Sequence, residues 1–355
     1  LGEQADGTTV WRVLVGSMDM MMGLEINAFL PGEITINAGD SVFFDFGPMG
    51  GFHNVRFGTA PLPLFLPADA ALELPIEGTP AAAATAPVLA FNSEILFANP
   101  PAGPLAYDGT ADINSGIYFF REPGQPFVLS FPTAGTYGYV CDVHLGMMGN
   151  IIVQEAGSEL PMDQAAIDAL GAEQLAAHME AGAAFATDYA AAGTPEAGVH
   201  EVAAGISDGQ TDGVVFLPRR VEIAAGETVR WTNLSGISPH TVTFLGGTPA
   251  PEDLLVVGGE AGPPTFVVNP NTFYPTDMQG TYSGEGFRNS GYLFGGELAN
   301  LIQIPNYETP TTFEVTFDTP GEYPYYCIIH AGAPEGADPT DASAIEGMVG
   351  VVVVS

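Results

Sequence analysis

The chain reads as an all-β protein: two tandem Greek-key β-sandwiches joined by a short Ala-rich helical linker. Three observations predict this. Apolar residues alternate at the strand period between turn residues, a set of words recurs at a nearly constant offset, and one stretch turns to alanine. At 355 residues the chain is long enough for two domains with full cores and a linker.

The first domain is read as residues 1–156. Gly32–Phe46 alternates through Ile34, Ile36, Val42 and Phe44, and Ile151-Ile152-Val153 closes the copy. The second domain is read as 199–355, with Val221, Ile223, Val229 and Trp231 alternating and Val351 to Val354 closing it. The 45 glycines and 30 prolines punctuate these runs as turns, which suggests antiparallel sandwiches. Phe29-Leu30-Pro31 recurs as Phe216-Leu217-Pro218, 187 residues on. Ala38-Gly39-Asp40-Ser41-Val42 recurs as Ala225-Gly226-Glu227-Thr228-Val229, and Asn114-Ser115-Gly116 echoes as Asn289-Ser290-Gly291. Residues 59–113 and 246–288 are long insertions, expected to wrap the sandwiches or to form the contact between copies.

The linker, 157–198, carries Met162, Ala166, Ile167 and Leu170 at three- and four-residue steps, then Leu175 and Met179. One or two short helices are expected there, capped by Ser158 or Asp163 and interrupted or ended by Gly171 and Gly193. His178 has no second ligand at a useful spacing.

Charge restricts the partners. Seven Lys+Arg, all arginine, stand against 42 Asp+Glu, a formal net charge of −35. Nothing neutralises phosphate, so nucleic acid is disfavoured, whereas a basic partner is electrostatically favoured. The acids are spread along the chain, which equally fits a solubility adaptation to high salt. No apolar stretch is long enough to span a bilayer and no signal peptide is read, so a chain starting at Leu1 is expected to be a processed or trimmed form.

The chemistry sits in one pattern found twice. A His follows an apolar strand, and a Tyr-x-Tyr-x-Cys-x-x-His cluster follows later, leading to a Met. The residues are His53, Cys141, His144 and Met147 in the first copy, and His240, Cys327, His330 and Met348 in the second. His53 to His240 is 187 residues, and Cys141 to Cys327 is 186. The only two cysteines of the chain are used, one per copy. Two imidazoles, a thiolate and a thioether are the ligands of a mononuclear blue-copper centre. Met147 is expected over its neighbour Met148, because the Met-x-Gly words align it with Met348 and neighbours on a strand face opposite ways.

These words resemble the cupredoxin family, and each copy is similar to plastocyanin, amicyanin and related small blue copper proteins. The words are Ala38–Phe44, His53-Asn54, Gly135–His144 and Met147-Met148-Gly149, with Ala225–Trp231, His240-Thr241, Gly321–His330 and Met348-Val349-Gly350. They cover roughly half of each copy. The resemblance implies one type 1 copper ion per copy, electron transfer with redox partner proteins, and export to a periplasmic or extracellular compartment. Copper storage or delivery is the alternative from another class.

The copies depart from each other. His330 and Met348 are 18 residues apart where His144 and Met147 are 3 apart. The extra loop carries Glu335, Asp338, Asp341 and Glu346 and is expected to cover or charge the edge around His330. Tyr326 precedes Cys327, where plastocyanin-like proteins have a Tyr on a lateral electron route, but Val140 precedes Cys141. Tyr137, Tyr139, Tyr323 and Tyr325 share parity with the cysteines and are read as core or corner residues. Met18, Met20, Met21 and Met22 cluster on the first turn, read as an adaptable docking patch, plain packing or a weak Cu(I) acceptor.

An enzyme is not expected. Multicopper oxidases and copper nitrite reductases need further histidines, as His-x-His pairs or a His flanking the blue-site Cys. Beyond the proposed ligands only His178 and His200 remain. Docking of a partner is expected at an apolar face around His144, Leu145 and Gly146.

Overall fold

Apolar alternation becomes strand wherever one face can be buried, and both copies follow that rule. The structure is a computed structural model that describes residues 1–47, 51–58, 62–70, 72–74, 84–97, 105–118, 126–192, 196–259, 263–276 and 281–355. The chain divides into two units. The first comprises Leu1–Asp19, Glu25–Leu64 and Asn92–Ala181, the second Met20–Leu24, Phe65–Phe91 and Gly182–Ser355.

In the first unit one layer holds Thr9–Asp19, Ser41–Asp45 and Phe127–Ser130. The other holds Arg56–Phe57, Gly135–Val140, Met148–Gln154 and Glu33–Asn37. Between them lies a core of Trp11, Phe29, Ile36, Phe44, Phe57, Tyr139 and Ile151, which also contains Cys141 and Met147. Edge-to-face aromatic contacts such as Phe29–Tyr139 at 4.6 Å fill it. The second unit repeats the plan, with Val199–Ser207, Thr211–Leu217, Glu227–Leu234 and Thr312–Phe317 facing Arg220–Ile223, Gly321–Gly332 and Glu346–Val354. Trp231, Phe216, Phe244 and Tyr325 fill that core around Cys327 and Met348.

The layers are mixed rather than purely antiparallel. Thr9–Asp19 runs parallel to Ser41–Asp45 and Glu33–Asn37 parallel to Met148–Gln154; in the second unit Val199–Ser207 is parallel to Glu227–Leu234. Glu33–Asn37 and Ser41–Asp45 follow each other in the chain but lie in different layers, so each takes a parallel partner from elsewhere, while Gly135–Val140 and Met148–Gln154 stay an antiparallel hairpin. Tyr137 and Tyr323 each donate their hydroxyl to the carbonyl four residues upstream, Thr133 and Thr319, as corner residues.

The linker is one helix, Gln164–Ala192, of 29 residues, longer than expected. Asp163 caps it, accepting from the Ala166 N–H, while Ser158 turns back to Glu155. Gly171 does not break the helix, because a Cβ there would sit 3.2 Å from the Leu30 carbonyl group. Its role is close approach, and the packed Leu175 and Met179 beside Ile26, Ala28 and Leu30 offset its low helix propensity. Gly193 lies outside the described residues.

The insertions form structure of their own in the second unit. Phe65–Pro67, Leu89–Phe91, Thr265–Val268 and Leu254–Val257 make a four-stranded sheet in which Ala90 faces Val267. Asn92 and Asn269 then cap equivalent short helices with the same side-chain bond. No helix among the described residues is long and apolar enough to cross a membrane.

Candidate metal centre

Cys141 lies immediately after strand Gly135–Val140, and His144 follows in the loop that returns to Met148–Gln154. Two backbone bonds close that loop, Cys141 N–H to the Met147 carbonyl and Met147 N–H to the His144 carbonyl. His53 arrives from the other side, on a segment fixed by the Val55 N–H donating to Ser115 Oγ. In the second copy Cys327 and His330 form a bulge within strand Gly321–Gly332, whose register shifts between Tyr326 and Ala331. His240 is pinned by paired backbone bonds with Leu293.

The side chains converge in both copies. Cys141 Sγ is 3.9 Å from His53 Nδ1 and 3.8 Å from His144 Nδ1. Cys327 Sγ is 3.9 Å from His240 Nδ1 and 3.5 Å from His330 Nδ1. Each trio brings its ligand atoms within 4.8 Å of one another. Met147 and Met348 are both buried in the cluster that holds the corresponding cysteine, whereas Met148 is 62% exposed.

Burial sets the protonation states. His53 and His330 are pushed down to about 4 by loss of water, and His240 is lowered by burial and then by the nearby His330. These three imidazoles are therefore neutral near pH 7, the form that offers a lone pair. Burial pushes both thiols up to about 11, opposed by N–H groups of Asn54 at Cys141 and of Thr241 at Cys327. A cation must displace the thiol proton, so metal uptake would release it. The donor set fits such an ion. Bonds of about 2.0 Å to nitrogen and 2.3 Å to sulfur give N···S edges of roughly 3.5–3.9 Å at angles of about 110–130°, the separations found in both trios.

Two glycines outside the sequence reading shape the sites. Gly16 and Gly205 have φ of +65° and +83°, and a Cβ on either would lie 2.3 Å from His53 Nε2 or 2.1 Å from His240 Nε2. The backbone thus braces the back of each imidazole at a distance only glycine permits.

The surroundings of the second site are shaped by its insertion, which leaves His330 partly exposed. Ala331 and Gly332 pair with Gly347 and Glu346, and Ile345 and Ala342 pack beside Leu245, Tyr326 and Ile328. Apolar Ile345 draws the loop onto the strand flank, leaving His330 partly exposed while His144 is buried. Tyr326, the residue before Cys327, is buried in the same cluster as Ile345. Met20, Met21 and Met22 are exposed, but they fall in the second unit, not in the one holding His53, Cys141 and His144.

No protein-family model matches the chain. It is 30% identical over 154 residues to a chloroplastic plastocyanin of Physcomitrium patens, a match covering 43% of this chain and 58% of that protein. A chloroplastic plastocyanin of Tetradesmus obliquus is 44% identical over 46 residues, 12% of this chain and 32% of that one. The chain thus spans between a third and three fifths of the length of these curated relatives. Among solved structures, the Cu(I) form of an amicyanin point mutant matches at 16% identity and a TM-score of 0.22, covering 45% of this chain and 85% of that one. Two layered β units, each bringing a His–Cys–His trio together around a buried thiol and beside a buried Met, together with the plastocyanin likeness, give this chain a cupredoxin-like fold.

Proposed function

We propose that the chain is an electron carrier with one mononuclear copper site per copy. The observation that carries this is the convergence of two imidazole Nδ1 atoms on one buried thiol in each copy, at separations that suit a shared ion. His53, Cys141 and His144, with the Met147 thioether as a weaker donor, would hold one copper; His240, Cys327 and His330, with Met348, the other. When bound, copper supplies one-electron exchange between Cu(II) and Cu(I). The chain supplies ligands acceptable to both states, soft sulfur for Cu(I) and imidazole for either. Packed strands and the glycine braces keep the imidazoles in place, so that little rearrangement accompanies a change of charge. The burial of both sulfurs excludes water and competing thiol oxidation.

With a formal charge of −35, a basic redox protein is the favoured partner, and its association rate should fall with added salt. The partner's approach differs between copies, since His330 reaches the surface further than His144.

Copper analysis with visible spectroscopy on the full chain and on its Cys141→Ser variant tests the assignment. Two coppers per chain with an intense thiolate band are expected, and one copper with about half the band in the variant. Loss of both bands in Cys141→Ser, or one copper in the parent chain, contradicts it.

A further inference from the structure

Directly beside the first trio lies a buried ion pair that the second copy lacks. Asp142 follows Cys141, and its carboxylate has no solvent exposure. Both carboxylate oxygens accept from Arg56 Nε, at 2.9 and 2.8 Å, and the Arg56 side chain is itself only 3% exposed. The same carboxylate accepts from Asn54 Nδ2 at 2.9 Å and from the Leu62 N–H at 3.2 Å. In return the Asp142 N–H donates to Asn54 Oδ1 at 2.8 Å. Asn54 follows His53, so the residue after one ligand is bonded twice to the residue after another.

The second copy keeps the wiring and discards the charge. Thr241 follows His240, and its hydroxyl accepts from the N–H of Ile328, the residue after Cys327, at 2.8 Å. Thr243 stands where Arg56 does, in a hydroxyl chain running to Asn289 Oδ1. Ile328 has no charge to pair. One backbone link is therefore built once with ions and once with neutral groups.

We propose that the Asp142–Arg56 pair is a positioning device for the first site that also sets its redox potential apart from that of the second. This rests on the copper reading above. The carboxylate belongs to the residue that follows the thiolate, and the guanidinium is held through it, bonded to both of its oxygens. In a buried setting the nearer charge is screened least. Oxidation of copper adds one positive charge, so the Asp142 carboxylate favours the oxidised state and lowers the potential, while Arg56 opposes it and holds the carboxylate in place. A merely structural pair would behave differently, because loosening the loop from either partner would disturb the site alike.

The test uses full-length chain carrying Cys327→Ser, so that only the first site gives the thiolate band, titrated under mildly alkaline conditions. Asp142→Asn removes the negative charge beside the thiolate and is expected to raise the potential. Arg56→Gln leaves the carboxylate uncompensated and is expected to lower it. Each shift should reach about tenfold in the exchange equilibrium, or about 59 mV for one electron. Arg56→Lys, which retains the charge, should fall closer to the parent than Arg56→Gln. The double variant Asp142→Asn/Arg56→Gln removes both charges of the pair together, so it serves if a single variant fails to fold by circular dichroism. Its potential should lie above the parent's and between those of the singles. Shifts of the same sign in both singles, no shift in either, or a double variant at or below the parent would overturn the inference. Absence of the thiolate band in the Cys327→Ser chain itself would instead overturn the copper reading.

Discussion

The two trios are alike as donor sets and differ in almost everything around them. Sulfur-to-nitrogen separations span only 3.5 to 3.9 Å across both copies. Yet the first site is flanked by an ion pair and closed by a three-residue step from His144 to Met147. The second is flanked by threonine and isoleucine and carries an extra hairpin packed on Tyr326 and Ile328. Direct ligands are fixed by the chemistry of the ion, whereas their neighbours are free to vary provided they hold the same backbone link. Divergence after duplication is therefore expected in potential and in partner access, not in the metal held.

The comparison breaks most sharply at the glycine braces. Gly205→Ala should abolish stable metal binding at the second copy and leave the first intact, because a Cβ 2.1 Å from His240 Nε2 must displace the imidazole. Gly16→Ala should do the converse. Each also places alanine at a positive φ, costing about 1–3 kcal/mol of stability. Metal analysis and thermal unfolding of both variants check this; retention of both metals would show that the rings are not braced.

A second contrast lies in buried charge. Asp212, in strand Thr211–Leu217, is raised to about 7 by burial, with Ser238 and Ser235 pulling the other way. A folded-state pKa above the unfolded one gives stability that is complete below about 4 and is lost as pH rises through about 7. The loss should amount to at most about 4 kcal/mol, from roughly three units at 1.36 kcal/mol each. Asp212→Asn should flatten the second unit's unfolding midpoint across that window. An unchanged slope would place the carboxyl's titration elsewhere.

Smaller again is the effect expected at the insertion. Ile345→Ala should cost about 2–4 kcal/mol by emptying its place beside Leu245 and Ile328. It should loosen the 331–345 hairpin, visible as faster hydrogen exchange at Ala331 and Gly332, without removing copper. Unchanged exchange there would mean that the acidic loop is held by something other than this side chain.

The trios were legible in the sequence because two histidines and a cysteine must arrive in one order and at one spacing, and the chain repeats that spacing. The sandwiches were legible because alternation such as Ile34, Ile36, Val42 and Phe44 has only one buried face to fill. What escaped depends on contacts between distant segments. Gly16 and Gly205 match at an offset of 189 rather than 187, and only the folded backbone sets them against imidazole. The Asp142–Arg56 pair joins segments 86 residues apart, so neither residue stands out locally. Gly171 read as a helix breaker because propensity is local, whereas its close contact with Leu30 is not. In 331–345 the acids dominate the composition, while the apolar Ile345 and Ala342 pack the loop beside Leu245 and Ile328 through contacts between distant segments.

Redox titration of the fully loaded chain, followed at the thiolate band, tests most directly whether two like trios have become unlike sites. Two one-electron waves are expected, with the lower potential assigned to the first copy because that wave alone disappears in Cys141→Ser. A single wave that keeps the same midpoint in Cys141→Ser and in Cys327→Ser would contradict it.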